Sequence, residues 1–220
     1  MTLLVNIPVT QLKGVGTVMA EKLAKVGIEN LQDVLFHLPS RYQDRTKVTP
    51  IAAVKPGQDA VILGTVMAAN IVMGRRRSLL VRIQDATGSI SLRFFHFSVA
   101  QKNALQQGTL IRCYGEARAG ATGLEIYHPE YRAQSAEQPI TLDDSLTAIY
   151  PTTEGLTQQR LRSLAEQALA FLSPLSLPEW LPTSILDSYQ LGPLEQAVRY
   201  LHQPPPDAAT EQLLNGTHWA

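Results

Sequence analysis

Five short β-rich runs, a helical stretch between the third and the fourth, and apolar periodicity near 3.6 residues on either side predict an α+β chain. That element order belongs to a five-stranded Greek-key OB-type β-barrel, here flanked by amino-terminal and carboxy-terminal helices. Residues 1–59 read as a helical segment. Val18, Ala20, Leu23, Ala24 and Val26 form one stripe, and after Gly27 the residues Leu31, Val34, Leu35 and Leu38 form another, until Pro39 stops the second helix. Thr49-Pro50 and Lys55-Pro56-Gly57 are turn signals that end the segment. The barrel is expected over residues 60–133, with strands at Ala60 to Met73, Ser78 to Asp85, Ser89 to Ser98, Thr109 to Arg118 and Leu124 to Arg132. Gly74 with its arginines, Ala86-Thr87-Gly88 and the stretch Gly120 to Gly123 suit hairpins, while Val99 to Gly108 reads as a short helix with a glycine cap. Residues 134–206 read as an acidic helical segment packing on the barrel, with helices over Thr157 to Leu172 and Leu194 to Leu201. Residues 207–220, polar and following Pro204, Pro205 and Pro206, read as the start of a linker.

Composition narrows the function classes. The 220 residues are 45% hydrophobic and 17% charged, enough for a packed core and against general disorder. No apolar run approaches membrane-span length, and Met1 to Pro8 lacks signal-peptide features, so a cytoplasmic protein is expected. Cys113 is the only cysteine, which excludes a disulfide and a thiolate cluster. Formal charge sums to zero, but residues 60–133 carry nine Lys and Arg against four Asp and Glu, whereas residues 134–220 carry three against ten. The barrel is thus the basic part, the sign expected of a polyanion-binding region beside an acidic one. No Gly-Lys dipeptide exists, which excludes a Walker A loop, and there is no Asp-Glu pair and no HExxH motif. His37, His96, His128, His202 and His218 have no ligand spacing, so no metal, no cofactor and no catalytic residue are assigned.

The most informative run is Ser89 to Phe97. Strand alternation puts Ile90, Leu92, Phe94 and His96 on one face and Ser91, Arg93, Phe95 and Phe97 on the other. With the first set inward, Phe95, Phe97, Arg93 and, from the preceding strand, Arg82 share the usual ligand face of an OB barrel. Aromatic rings there offer bases a stacking platform and arginines hold phosphates, unless the rings are covered by flanking helices; the alternation is compatible with either. Arg75, Arg76 and Arg77 at the first hairpin tip, three adjacent guanidinium groups with no acidic neighbour, favour phosphate contact over simple solvation, and Arg118 is placed to join them. Leu12-Lys13-Gly14-Val15-Gly16 has the look of a helix-hairpin-helix turn, in which Gly14 and Gly16 bring backbone N–H groups to a phosphate, or equally of a tight turn that lets Val15 pack.

Leu12 to Gly16 with Lys22-Leu23-Ala24, Leu35 to Pro39 with Arg41-Tyr42, Leu92 to Phe97, Tyr114-Gly115-Glu116, His128 to Tyr131, Ile149 to Gly155 and His202 to Pro206, taken in order, resemble the amino-terminal region of the RecG-type bacterial DNA helicase. The resemblance implies a wedge domain that sits at the branch point of replication forks and Holliday junctions and separates strands for an ATP-driven motor in recombination and repair. It implies that Phe95, and after it Phe97, stack on unpaired bases. It also implies that the motor domains, with their ATP and Mg, follow Ala220, so that the chain is a helicase fragment without enzymatic activity. Branched DNA is the expected partner and a monomer the expected state. The alternative is a protein-interaction module whose basic groove takes the acidic tail of single-stranded-DNA-binding protein.

Overall fold

In a computed structural model the described residues are 2–74, 76–120, 123–134 and 144–220. The elements run α1 (Thr17–Ala24), α2 (Leu31–Phe36), β1 (Arg41–Gln43), β2 (Asp59–Val72), β3 (Ser78–Gln84), β4 (Ser89–Phe94), α3 (Val99–Ala104), β5 (Leu110–Gly120), β6 (Gly123–Tyr127) and β7 (Glu130–Ala133). They continue with β8 (Thr147–Ile149), α4 (Gln158–Leu169), α5 (Thr183–Tyr189), α6 (Leu194–His202) and α7 (Thr210–Asn215). The chain divides into two compact units, Met1–Asp44 with Asp144–Ala220, and Arg45–Asp143.

The helical unit is discontinuous in sequence because its two halves need one another's apolar surface. The α4 stripe of Leu161, Leu164, Ala165 and Ala168 is buried in one core with Leu23, Leu31 and Leu35 from the first half and Val198 from α6. The acidic segment, expected on the barrel, thus shares its core with the first segment. Asn30 starts α2 with a full capping box, accepting from the Asp33 N–H at 3.0 Å while the Asp33 carboxylate accepts from the Asn30 N–H at 3.1 Å. β1 and β8, neither of which is legible in the sequence, pair antiparallel from Arg41 against Ile149 to Gln43 against Thr147. The last stretch, read as linker, instead forms α7 and folds back. His218 stacks on Tyr200 at 4.7 Å and the Trp219 ring lies tilted on Tyr200 at 5.5 Å, an apolar gain that a polar linker lacks. In the core, buried His202 lies between the Tyr150 hydroxyl, 2.7 Å from Nδ1, and the Leu35 carbonyl, 2.9 Å from Nε2. A carbonyl only accepts, so Nε2 carries the proton and Nδ1 accepts from Tyr150.

The second unit holds an OB-type sheet. β2 is long enough to serve two partners: its first half, from Asp59 to Thr65, pairs with β5, and its second half, from Thr65 to Val72, pairs with β3 with a bulge at Val66/Ala68. Gly64 sits at this crossing, where a Cβ would lie 3.1 Å from the Gln84 carbonyl oxygen. Going round, β3 pairs with β4, β4 with β6, β6 with β5, and β5 returns to β2, with β7 added on the far side of β5. Inside lie Ile62, Val66, Leu79, Val81, Ile83, Ile90, Leu92, Phe94, Ile111, Cys113, Ala117 and Ile126, and Leu105, just after α3, is buried in the same cluster. The β3–β4 turn is held by Asp85, whose carboxylate accepts from the N–H groups of Ile51, Thr87 and Gly88. Burial opposes its ionisation, but those bonds prevail and hold its pKa at about 2.

Two strand assignments need correction. β4 ends at Phe94, not Ser98, so alternation stops there and His96, expected inside, is exposed. The fifth run divides into β6 and β7 because Pro129 has no N–H for a ladder and His128 before it adopts φ +47°.

The β4–β6 junction is parallel and only three register pairs long. Side chains reinforce it. Arg93 on β4 donates from Nε and Nη2 to the two carboxylate oxygens of Glu125 on β6 at 2.7 and 2.9 Å, and from Nη1 to the Ser78 hydroxyl on β3 at 3.0 Å. Glu125 is buried at 2% exposure against Gly120, where any Cβ would collide with its side chain. The hydrogen bonds from Arg93 hold the Glu125 carboxyl below its ordinary 4.5 despite burial, with the charge of Arg93 and the Tyr127 hydroxyl adding to the effect.

Two predictions follow from these buried polar groups. Glu125→Leu leaves a guanidinium without its counter-ion and should cost about 2–4 kcal/mol in urea unfolding, somewhat below a fully buried pair because Arg93 is partly exposed, while Arg93→Met with Glu125→Leu should recover most of that loss. A single variant as stable as the parent would show that the pair does not hold the junction. His202 is held below its ordinary 6.5 first by burial, with nearby His37 acting in the same direction and the Leu35 carbonyl opposing. The unfolded chain therefore binds this proton more readily, so stability is full above about 6.5 and falls as the pH drops through it. Thermal melts at about pH 7.5 and about pH 5.5 should show a smaller acid loss for His202→Gln than for the parent; equal losses would exclude His202 as the cause.

Candidate nucleic-acid interface

The outer face of β3, β4 and β6 is built by alternation. With Leu79, Val81, Ile83, Ile90, Leu92 and Ile126 inward, the intervening Leu80, Arg82, Ser91, Arg93, Glu125 and Tyr127 point outward. Register places Arg82 opposite Ser91 and Leu80 opposite Arg93. Arg82 and Arg93 thus share the face, as expected, but their guanidinium groups have different partners. Arg82 is exposed and donates from Nε and Nη2 to the Ser89 hydroxyl at 3.2 and 2.8 Å. Arg93, expected to hold phosphate, has three of its five N–H donors committed to Glu125 and Ser78.

Phe95 is half-buried, one residue beyond the end of β4. It belongs to an aromatic group that the sequence reading did not assemble. The Tyr127 ring meets it edge-on at 5.7 Å, the His128 ring lies tilted at 5.6 Å, and His96 stacks on His128 at 6.0 Å. Arg118 lies over Tyr127 at 5.9 Å and pairs with Glu116 at 2.8 Å, both partners being well exposed. The signals for Tyr127 and His128 were present: strand alternation puts Tyr127 outward beside Glu125, and the His128-Pro129 pair marks the point where the chain turns back.

Phe97 has a different environment. Half-buried, it packs against the barrel core, and the Arg77 guanidinium lies over its ring at 5.1 Å. Arg76 and Arg77 are exposed at the β2–β3 tip, and Arg75 lies outside the described residues. In the helical unit Gly14 has φ +82° and faces Arg160, whose guanidinium a Cβ would strike, while Gly16 is the N-cap of α1 with open space around it. The glycine turn is therefore demanded by backbone conformation and by a close side chain at Gly14, and only by helix entry at Gly16. No group of three or more His, Cys, Asp or Glu able to hold a metal occurs among the described residues. None of the described helices is long and apolar enough to cross a membrane.

Comparisons agree with this architecture. The model of the RecG wedge domain matches residues 8–172. The ATP-dependent DNA helicase RecG of Haemophilus influenzae is 46% identical over 216 residues, covering 98% of this chain and 31% of that protein. RecG of Pasteurella multocida is 44% identical over 212 residues, and RecG of Escherichia coli K12 is 43% identical over 216. A solved structure of RecG bound to a three-way DNA junction superposes with a TM-score of 0.76 at 26% identity, over 96% of this chain and 28% of the other. The chain spans about 30% of the length of these relatives. The breadth of the family match, three quarters of the chain across both units, makes the assignment direct: the chain belongs to the RecG wedge domain family.

Proposed function

We propose that this chain is a branched-DNA-binding wedge that separates strands at the branch point of replication forks and Holliday junctions, the force being supplied by motor domains of a RecG-type helicase. The observation that carries the reading is the Phe95 group: a half-exposed aromatic ring at the end of a barrel strand, braced by Tyr127 and His128 and bordered by arginine on the ligand face of an OB fold. A ring so braced offers an unpaired base a flat partner at low entropic cost and stops it from re-pairing. Arg76, Arg77, Arg82 and Arg118 supply the phosphate contacts. Arg93 acts indirectly by fixing β4 to β6, and Phe97 acts as the seat that holds Arg77 in place rather than as a second stacking ring. That a solved RecG is bound to a three-way DNA junction supports branched DNA as the substrate class.

Phe95→Ala should weaken binding to a forked duplex by about 1–3 kcal/mol, roughly 5- to 150-fold, and leave a linear duplex nearly unchanged. Fluorescence anisotropy on both substrates tests this; equal losses on the two would sink the wedge reading, as would tighter binding of an acidic peptide with no preference for forks. Arg76→Ala with Arg77→Ala should instead weaken fork and linear duplex alike and flatten the slope of log affinity against log salt by about 2. An unchanged slope would remove the β2–β3 tip from the phosphate-binding surface.

A further inference from the structure

The end of β4 poses a hydrogen-bonding problem that one residue solves twice. The parallel pairing of β4 with β6 stops at Arg93 opposite Tyr127, and Phe95 lies beyond the strand, where its N–H has no ladder partner. The Arg93 carbonyl accepts from the His128 backbone N–H at 2.9 Å, and the Phe95 N–H donates to His128 Nε2 at 3.3 Å. Backbone and side chain of His128 thus bracket the residue that carries the stacking ring, and the His128 ring also lies 5.6 Å from that of Phe95. The left-handed backbone at His128, φ +47°, is a conformation few non-glycine residues adopt, and Pro129 disfavours the right-handed helical alternative.

Resting on the stacking role given to Phe95 above, we propose that His128 is the positioning residue of the strand-separating ring and acts only as the neutral imidazole with its proton on Nδ1. An imidazolium has two N–H groups and no acceptor, so protonation sets N–H against N–H and releases the Phe95 backbone. Each carboxylate described on β5, β6 and β7 already has an arginine partner. Glu116 on β5 is paired with Arg118, Glu125 on β6 with Arg93, and Glu130 on β7 with Arg45. The ring contacts of His128 are with Phe94, Phe95 and the imidazole of His96, itself a second titratable base stacked on the first. The sign is the informative part. A cation added beside a polyanion strengthens all DNA binding alike, whereas loss of the Nε2 acceptor weakens only the contact that Phe95 makes with an unpaired base. Acidification should therefore lower the preference for forks over linear duplex even while overall affinity holds or rises.

The test measures the fork-to-linear affinity ratio of the 220-residue chain at about pH 8 and about pH 5.5. Parent protein is compared with Phe95→Ala, His128→Ala, His128→Gln and His96→Gln. The Phe95 amide cross-peak is followed by NMR over the same range without DNA. The parent and His96→Gln should lose at least about fivefold of their preference on acidification, His128→Gln, which keeps an acceptor and cannot titrate, should keep it at both values, and His128→Ala should lack it at both. The Phe95 amide should titrate in the parent and in His96→Gln but not in His128→Gln. A His128→Ala protein with the parent preference at the higher pH, or a His128→Gln protein that still loses its preference or still shows the amide titration, overturns the proposal while leaving Phe95 in place. A Phe95→Ala protein that keeps the parent preference overturns the stacking reading itself, and with it the functional part of this proposal.

Discussion

Three register pairs join β4 to β6, and the Arg93–Glu125 pair spans the same junction from the outside. Parallel pairing this short has little cohesion of its own, so the side-chain bridge and the Ser78 hydroxyl beneath it hold the place where the sheet meets itself. Gly120 is part of the same arrangement, because only a residue without Cβ lets Glu125 lie flat against β5. The aromatic group depends on all of this. Phe95 extends from one side of the junction, and Tyr127 and His128 from the other, so their mutual distances are set by how firmly β4 and β6 are joined.

The sequence pattern revealed the barrel well and its rim poorly. Alternation in Leu79 to Ile83 and Ile90 to Phe94 was enough to assign inner and outer faces, because both strands have one buried side and period two is strict there. It misled beyond Phe94, since a run of aromatic residues continues the composition of a strand without continuing its hydrogen bonds. The pair Arg93 and Glu125 was illegible for another reason: Glu125 meets Arg93 across a parallel pairing between strands 32 positions apart, and no local pattern encodes such a partner. Phe95 was singled out from alternation and resemblance together, whereas its ring neighbours Tyr127 and His128 needed the three-dimensional return of the chain at Pro129.

The helical flanks show the converse. Their periodicity was plain, but which surface they cover was not, because an apolar stripe specifies the need for a partner without naming it. The stripe on α4 meets α1 and α2 rather than standing alone, and β1 pairs with β8 across more than a hundred residues of intervening chain. The carboxy-terminal stretch went unread because its anchors are two rings, His218 and Trp219, set on Tyr200 rather than any periodic pattern.

That β1 and β8 ladder bears on the order in which the molecule can form. The residues of the barrel unit are contiguous, from Arg45 to Asp143, whereas Leu35 shares its core with Leu164. At a synthesis rate of about 5–20 residues per second, the interval between those two leucines leaving the ribosome is about 6–26 s. The barrel can fold as it emerges, while the first 44 residues must remain soluble with apolar surface uncovered until their other half arrives. Of these two units, residues 1–44 are thus the part that waits longest for its partner surface and is most exposed to chaperones meanwhile, although they are made before the barrel.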